Sequence, residues 1–304
     1  MYVIETNNLC KKYGGKLVID HVNMHIPEGS IYGFVGENGS GKTTIMRLLT
    51  GLASPLSGSY KLFGVDFKDP KIYETRKEIA AIVEAVSFVP SMTAIDNIIY
   101  QEKYLGIKLT PEERENLLKQ VHLDKVGKKK AKNFSLGMKQ RLGIALAMIK
   151  KPKLIFLDEP MNGLDPQGIV ELRDLLIELN QKQGLTVLIS SHILSELEKI
   201  ASTYGFISHG RLVEEISVEE LLAKCEKSLV IKVDNVSEAE DAIKEFKIEK
   251  YKVFPNGDVA IYDEIDIGEV VSYLNKKKIK ILSIRSVDES VEDYYLRLIR
   301  KGAK

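Results

Sequence analysis

The segment Gly36-Glu37-Asn38-Gly39-Ser40-Gly41-Lys42-Thr43 is rich in glycine and matches the pattern G-x-x-x-x-G-K-[ST]. The β-branched and aromatic residues 31–35 precede it, and residues 44–49 follow it with a helical pattern. In such a strand, turn and helix, the glycines let backbone N–H groups converge on an anion, and the helix N-terminus adds the positive end of its dipole. The stretch therefore predicts a phosphate-binding loop.

Two side chains of this loop are expected to contact a nucleotide directly. Lys42 can reach the β and γ phosphates, and the Thr43 hydroxyl can ligate Mg²⁺. A glycine turn beside a surface lysine is the simpler alternative. It does not account for the strand before the turn and the helix after it, so we expect a nucleotide site.

Length and composition are typical of an ordinary globular protein. A chain of 304 residues is longer than one hydrophobic core usually supports, so we expect a large domain with a smaller one attached. Apolar residues make up 44% of the chain and charged residues 29%, and the net charge of +1 indicates no particular class of partner. Cys10 and Cys225 lie far apart without metal-site spacing, which is typical of reduced cysteines in the cytosol.

The beginning of the chain offers neither a targeting signal nor a ligand set. The first residues lack the basic and apolar regions of a signal peptide, and no run in the chain approaches the ~18 apolar residues of a membrane span. Residues 20–26 alternate as one strand, on which His21 and His25 are expected to be exposed and not to be ligands. If the protein serves a membrane process, we expect another chain to supply the spans.

Two further apolar strands are predicted to bring polar side chains to the phosphate-binding loop. One runs into Asp158 and Glu159, and residues 186–190 run into Ser191 and His192. Because buried parallel strands present their carboxyl ends at one edge of a sheet, these side chains should meet there. We expect Asp158 to hold Mg²⁺ through water, Glu159 to polarise an attacking water and His192 to bond a γ-phosphate. A strand end before a proline turn and a capping histidine are the simpler alternatives.

Two other features admit both a functional and a structural interpretation. Ser135 and Gly137 precede the helical run 142–149, where they could form a second anion-binding helix start or a plain N-cap. Taken alone, this segment favours the N-cap. Tyr13 lies in a basic loop, where its ring could stack on a purine base or cover an edge of the core. For Tyr13 the residues leave both alternatives open.

In this order, the motifs resemble those of the ATP-binding subunit of an ABC transporter. The phosphate-binding loop is followed by a signature segment at residues 134–140, the acid-tipped strand at 154–159, a loop at 162–165 and His192. The match covers about residues 1–216. It implies an α/β P-loop NTPase fold in which the nucleotide-binding domain has a RecA-like core, an antiparallel β subdomain and a helical subdomain.

The resemblance also implies roles for individual residues. Lys42, Glu159 and His192 would be catalytic, with Glu159 as the base and His192 as the γ-phosphate sensor. Tyr13 would stack on adenine, and the Ser135 turn would contact ATP held by the other subunit of a head-to-tail dimer. The full set implied to bind ATP is Tyr13, Gly36, Glu37, Asn38, Gly39, Ser40, Gly41, Lys42, Thr43, Thr44, Glu84, Ser135, Gly137, Asp165 and His192, and the set implied to bind Mg²⁺ is Thr43, Glu84 and Asp158.

Three positions, in two segments, depart from the commonest form of this family. Glu84 stands where most members carry glutamine in the loop that meets the membrane partner, and Leu136 and Met138 replace glycine and glutamine in the signature segment. In both respects the chain is similar to the bacitracin-resistance and lantibiotic-immunity exporters. A third carboxylate beside Asp158 and Glu159 should repel them, so we expect a strong dependence on Mg²⁺. The alternative is that Glu84 is an exposed loop acid.

The pattern of the chain changes near residue 217. Residues 217–304 are predicted to form an accessory α+β domain in the order β-α-β-β-α-β, with a hairpin turn at residues 255–258. This order resembles a ferredoxin-like module. Because we find no cluster of acids, histidines or cysteines in it, we expect a structural or regulatory role.

Together with the motifs, the resemblance implies a cytoplasmic ATPase that uses ATP and Mg²⁺ and is held on the inner face of the cell membrane by a separate integral membrane permease. It would form a homodimer, or a heterodimer with another ABC chain, on binding ATP, and would power export of peptide antibiotics or amphipathic compounds. We expect no nucleic-acid partner. The alternative, a soluble ABC ATPase acting as a clamp on ribosomes or nucleic acid, is disfavoured because the chain has one ATPase unit instead of a tandem pair. A nucleoside kinase would leave Ser135 and His192 unexplained.

Overall fold

A computed structural model describes residues 1–225, 227–246, 248–254, 256–263 and 266–302 of the chain. Contacts between residues divide it into a larger unit, which includes Met1–Val218, and a smaller one, Glu219–Arg297. We predicted a boundary after residue 216, and the assignment of two functional domains stays a prediction.

The larger unit contains two sheets and the helices that cover them. Its strands are β1 (Tyr2–Tyr13), β2 (Lys16–Val22), β3 (His25–Pro27), β4 (Ile31–Val35), β5 (Ser57–Leu62), β6 (Val65–Asp66), β7 (Ile79–Ile82), β8 (Leu154–Asp158), β9 (Thr186–Ser191), β10 (Thr203–Ser208) and β11 (Arg211–Ser217). Its helices are α1 (Lys42–Leu49), α2 (Ile72–Thr75), α3 (Ala94–Leu105), α4 (Pro111–Gln120), α5 (Leu136–Met148), α6 (Pro166–Gln183) and α7 (Leu194–Leu197).

The central sheet has six strands in the order β11-β10-β4-β9-β8-β7. Its strands from β10 to β7 are parallel, and only β11 is antiparallel to its neighbour. Every residue of β4 and of β9 is buried, which is why these strands are such continuous apolar runs in the sequence. Because β4, β9 and β8 are adjacent and parallel, the segments that follow them meet at one edge of the sheet.

A second, antiparallel sheet has the order β2-β1-β5-β6, with β3 also paired to β1. Its inner side chains join those of α1 and the central sheet in one core, which includes Ile4, Ile19, Met24, Ile45 and Phe156. The single strand predicted for residues 20–26 was wrong, since β2 ends at Val22 and β3 begins at His25. At the interruption the Thr6 hydroxyl stands between the two strands, where it donates to the Val22 carbonyl oxygen at 2.9 Å and accepts from the Met24 N–H at 2.8 Å.

The helical part of the larger unit lies between β7 and β8 in the sequence. Helices α3 and α4 each begin with a capping box, formed by Thr93 with Asp96 and by Thr110 with Glu113. The bidentate pair between Arg114 and the buried Glu102 links these two helices. These contacts explain why short, polar helices are stable here.

The remaining elements are α8 (Val218–Lys224), β12 (Lys227–Val233), α9 (Val236–Glu245), β13 (Tyr251–Val253), β14 (Asp258–Ile261), α10 (Ile267–Lys276), β15 (Ile281–Asp288) and α11 (Val291–Gly302). The four strands form an antiparallel sheet in the order β13-β14-β12-β15. Apolar residues of α9 and α10 pack with it in a separate core that includes Ile231 and Val259. From β12 to β15 the order of elements is the predicted one, whereas the ferredoxin-like assignment stays a prediction. In the predicted hairpin turn, Pro255 lies outside the described residues.

Candidate functional site

The phosphate-binding loop connects β4 to α1 in a conformation that requires glycine. Gly39 and Gly41 have φ values of 81° and 113°, in the left-handed region that side chains disfavour. A Cβ at Gly36 would lie 2.4 Å from the Ile207 carbonyl oxygen, and one at Gly41 would lie 2.5 Å from a methyl carbon of Ile19. The sequence therefore forms this loop only with glycine at these positions.

Lys42 is held inside the loop. Its ammonium donates to the carbonyl oxygens of Gly36 at 2.6 Å and Glu37 at 3.2 Å, and the side chain is only 6% exposed. It also lies 3.4 Å from Oε1 of Glu159. A positive charge is thus fixed within the loop, as binding of a triphosphate requires.

The side chains of Thr43 and Asp158 are in contact, as expected of two ligands of one Mg²⁺ ion. The Thr43 hydroxyl donates to Oδ2 of Asp158 at 2.7 Å, and the Ser190 hydroxyl donates to Oδ1 of the same carboxylate, also at 2.7 Å. A hydroxyl and a carboxylate are the hard oxygen ligands that Mg²⁺ prefers, and one or two protein ligands suffice when phosphates and waters complete the shell. The residues present therefore fit a magnesium ion.

Glu159 lies between the two other residues predicted to be catalytic. Its Oε2 is 2.6 Å from Nδ1 of His192, while its Oε1 faces Lys42. The backbone of Glu159 is left-handed, with φ of 50°, and its N–H donates to the Ser190 hydroxyl at 2.9 Å. A strained backbone held by such contacts is common at functional sites, where it directs a side chain. Lys42, Glu159 and His192, which come from three separate segments, are thus brought together.

Ser190 is a site residue that we did not predict. It is fully buried and bridges the Asp158 carboxylate and the Glu159 N–H, so it orients both acids. The available signal was a hydroxyl within the apolar run 186–191. That signal was weak, because a serine in a buried strand often has a purely structural role.

Glu84 forms an ion pair with Arg47, the second residue that we did not predict. The carboxylate is 58% exposed and its backbone φ is 70°. Hydrogen bonding and charge attraction from Glu84 raise the pKa of the Arg47 guanidinium, and Tyr13 makes a smaller contribution in the same direction. Among the described residues, Glu84 belongs to no group of three His, Cys, Asp or Glu ligands whose atoms lie within 4.8 Å of one another. Metal binding by Glu84 stays a prediction.

Tyr13 ends β1, and the residue is 43% exposed. The Lys11 ammonium lies 4.9 Å from the centre of the ring, and Arg47 is close enough for the tyrosine to raise its pKa. This exposed face argues against a ring that merely covers the core. Stacking on adenine stays a prediction.

The signature segment forms a helix start at the surface. Ser135 is the N-cap of α5 and accepts a hydrogen bond from the Met138 N–H at 3.2 Å, while Leu136 is 44% exposed. Asp165 caps α6 in the same way, accepting from the Gly168 N–H at 3.3 Å. No hydrogen bond or ion pair within the described residues joins Ser135 or Asp165 to the side chains around Lys42. The capping role is confirmed, and contact of either residue with ATP stays a prediction.

Comparison with known proteins agrees with these motifs. A family model described as "ABC transporter" matches residues 19–162. The chain is 39% identical to the bacitracin transport ATP-binding protein BcrA of Bacillus licheniformis, covering 99% of this chain and 98% of that protein. It is 43% identical to the lantibiotic transport ATP-binding protein SrtF of Streptococcus pyogenes, over 70% of this chain and 90% of SrtF.

A solved structure with the same fold is cbiO1 of Clostridium perfringens, described as part of the ABC transporter complex cbiONQ. It has a TM-score of 0.65 and 25% identity over 73% of this chain and 91% of cbiO1. None of the helices in the described part of the chain has the length and apolar character needed to cross a bilayer. With its phosphate-binding loop, its paired acids and these relatives, the chain belongs to the ATP-binding proteins of ABC transporters and is an ATP hydrolase.

Proposed function

We propose that this ATPase powers a separate membrane permease that exports peptide antibiotics or amphipathic compounds. ATP hydrolysis is supported by one observation, the convergence of five side chains at one edge of the central sheet: Lys42, Thr43, Asp158, Glu159 and His192. The class of cargo rests on the similarity to BcrA and SrtF, whose names refer to bacitracin and lantibiotic transport.

The contacts at the site suggest how hydrolysis would proceed. Lys42 would hold the β and γ phosphates, while Thr43 and Asp158 would hold Mg²⁺, which neutralises charge that develops on the phosphates. Glu159 would accept the proton of the attacking water at a carboxylate oxygen. His192, 2.6 Å from that carboxylate, would orient it and contact the γ-phosphate.

A dimer would complete the site. The Ser135 turn is exposed and has backbone N–H groups at a helix start, which is a natural place for an anion. We propose that two such chains, or this chain and another ABC chain, bind head to tail, so that each Ser135 turn contacts the ATP held by its mate. ATP binding would close the dimer and hydrolysis would release it.

The permease would dock in a groove next to the Glu84 loop, on the cytoplasmic side of the membrane. This groove has a volume of about 480 Å³, and Val83, Ala85 and Val86 of the loop form part of its wall. Leu52, Tyr100 and Tyr104 also line it and are at least half exposed. Exposed apolar and aromatic side chains around a concave surface are typical of protein interfaces.

The experiment that tests this function uses a photo-crosslinking amino acid at position 104 in membranes from cells that make the protein. We expect a crosslink to an integral membrane protein. Position 73 is the matched control, because Tyr73 is 71% exposed, close to the 79% of Tyr104, and lies outside the groove. Loss of bacitracin or lantibiotic resistance in the Lys42→Ala strain would identify the cargo class. A crosslink from position 104 to ribosomal protein or nucleic acid would favour the clamp alternative instead.

The smaller unit is proposed to have a structural or regulatory role. Its core is formed by aliphatic and aromatic side chains of β12, β14, α9 and α10. Among its described residues there is no group of three His, Cys, Asp or Glu that could hold a metal ion. This composition is typical of a binding or stabilising module.

A further inference from the structure

A bulge in the β1–β2 pair brings three possible metal ligands together. Leu9 pairs with Val22 and Lys11 with Ile19, so Cys10 alone stands opposite two residues, Asp20 and His21. In a regular strand these two would point to opposite faces, but the left-handed backbone at His21 removes that alternation. A thiol sulfur, a carboxylate oxygen and an imidazole nitrogen consequently lie within 4.8 Å of one another.

The surrounding contacts already hold the three groups in place. The Cys10 sulfur accepts a hydrogen bond from the His21 backbone N–H at 3.3 Å and donates to the Asn8 carbonyl oxygen at 3.5 Å. Asp20 is bonded by the His21 ring at 2.6 Å and paired with Arg211, and these two groups lower the pKa of its carboxyl. Arg211 would stay bonded to the Asp20 carboxylate and orient it, as hydrogen-bonded groups outside the ligand set do at metal sites.

We propose that Cys10, Asp20 and His21 bind one zinc ion or a similar borderline-soft divalent cation. Thiolate, imidazole and carboxylate are the three ligand types of zinc, and three protein ligands leave a fourth tetrahedral position for water. The ion replaces the thiol proton of Cys10, which passes to solvent, and takes a place between the His21 ring and Asp20. The His21 ring binds it through Nδ1 as the neutral tautomer, with the ring proton on Nε2 instead of in the bond to Asp20. Binding therefore releases a proton and strengthens as the pH rises.

The bulge is joined to the phosphate-binding loop. The Asp20 N–H donates to the Gly210 carbonyl oxygen at 2.9 Å, and the Gly210 N–H donates to the Ser40 carbonyl oxygen at 3.0 Å. An ion that fixes the bulge would therefore also restrain Ser40. Sequence spacing does not reveal this cluster, because Cys10 is ten residues or more from its two partners.

The test is titration of the untagged, reduced and nucleotide-free full chain with Co²⁺, which reports thiolate ligation by a charge-transfer band in the near ultraviolet, followed by displacement with Zn²⁺. We expect one equivalent to bind with that band. Cys10→Ser should remove the band, and His21→Asn should weaken binding at least ~10-fold, since asparagine tolerates the left-handed backbone without offering a ring nitrogen. Cys225→Ser and His25→Gln are the matched controls and should bind as the unaltered chain does.

Melting curves recorded without metal show whether each variant is folded, and Zn²⁺ should raise the melting temperature of the unaltered chain more than that of His21→Asn. Binding of Co²⁺ without the band, or equal binding by Cys10→Ser and the controls, would overturn the proposal. So would a band that disappears in Cys225→Ser instead.

Discussion

The phosphate-binding loop and the Ser135 turn are both glycine-containing segments that lead into a helix, yet their surroundings differ. Lys42 is buried, donates hydrogen bonds within the loop and pairs with Glu159. Ser135 is exposed, and its side-chain hydrogen bond in the described part of the chain stays within its own turn. The first segment is completed by strands of the same chain. The second begins with Ser135 and Leu136 exposed at the surface, which is the arrangement expected of a surface completed by another subunit.

This difference is what the proposed dimer predicts, in which one half of the ATP site is built within the chain and the other half is contributed by a second chain. It separates two kinds of variant. Changes beside Lys42 should affect nucleotide binding or chemistry in the single chain, whereas changes at Ser135 should affect only what happens after two chains meet.

The largest effect is expected for Lys42→Ala, which should abolish measurable ATP binding by removing charge-assisted bonds to two phosphates. Calorimetric titration with ATP and Mg²⁺ measures it. Lys61→Ala, at an exposed position of β5, is the control. Unchanged affinity in Lys42→Ala would mean that the loop is not the nucleotide site and would remove the contrast with Ser135.

Glu159→Gln should reduce ATP hydrolysis by about 10²–10⁴-fold while ATP still binds, since glutamine keeps the shape but cannot accept the proton of water. The variant should then accumulate as a dimer with ATP and Mg²⁺ and remain monomeric without them, which light scattering after size exclusion detects. A monomer under both conditions would count against the proposed pairing of two chains.

Ser135→Asp tests the other side of the comparison. Aspartate is also a good N-cap, so α5 should stay folded, but its charge would repel the triphosphate of the mate. We expect ATP hydrolysis to fall about 10-fold or more and the dimer of the Glu159→Gln background to be lost, whereas affinity for ATP at low protein concentration changes less than about twofold.

Thr110→Asp, at the N-cap of α4, is the matched control for this substitution and should leave hydrolysis unchanged. If Ser135→Asp weakens ATP binding in the isolated chain as much as it slows hydrolysis, the turn serves its own nucleotide. The distinction between the two segments would then fail.

The smallest effect is expected at Glu84 and Arg47. If Arg47 and Mg²⁺ compete for the Glu84 carboxylate, Arg47→Gln should lower the Mg²⁺ concentration for half-maximal hydrolysis roughly two- to fivefold, as expected for removal of an exposed ion pair. Glu84→Gln should raise that concentration, and Arg47→Gln should have no further effect in the Glu84→Gln background. An unchanged Mg²⁺ dependence in Glu84→Gln would show that Glu84 is an exposed loop acid.

Much of the fold and of the catalytic cluster could be predicted, and the failures have a common cause. The loop, the acid pair and His192 were recognisable because each follows an apolar strand whose type and end are local properties. Ser190 and Arg47 were missed because their importance depends on a partner far along the chain, Asp158 in one case and Glu84 in the other.

By itself, the sequence determined where the buried strands beside the phosphate-binding loop end, which positions need glycine, and which acids and histidine follow those strands, because backbone propensity and burial act over a few neighbouring residues. Only the tertiary structure decided which side chains meet. The order β4-β9-β8 places Lys42 beside Glu159 and pairs Asp158 with Ser190, and the bulge in β1–β2 gathers Cys10 with two distant residues. Pairing and register are long-range choices, since they depend on which buried faces fit together across the whole core.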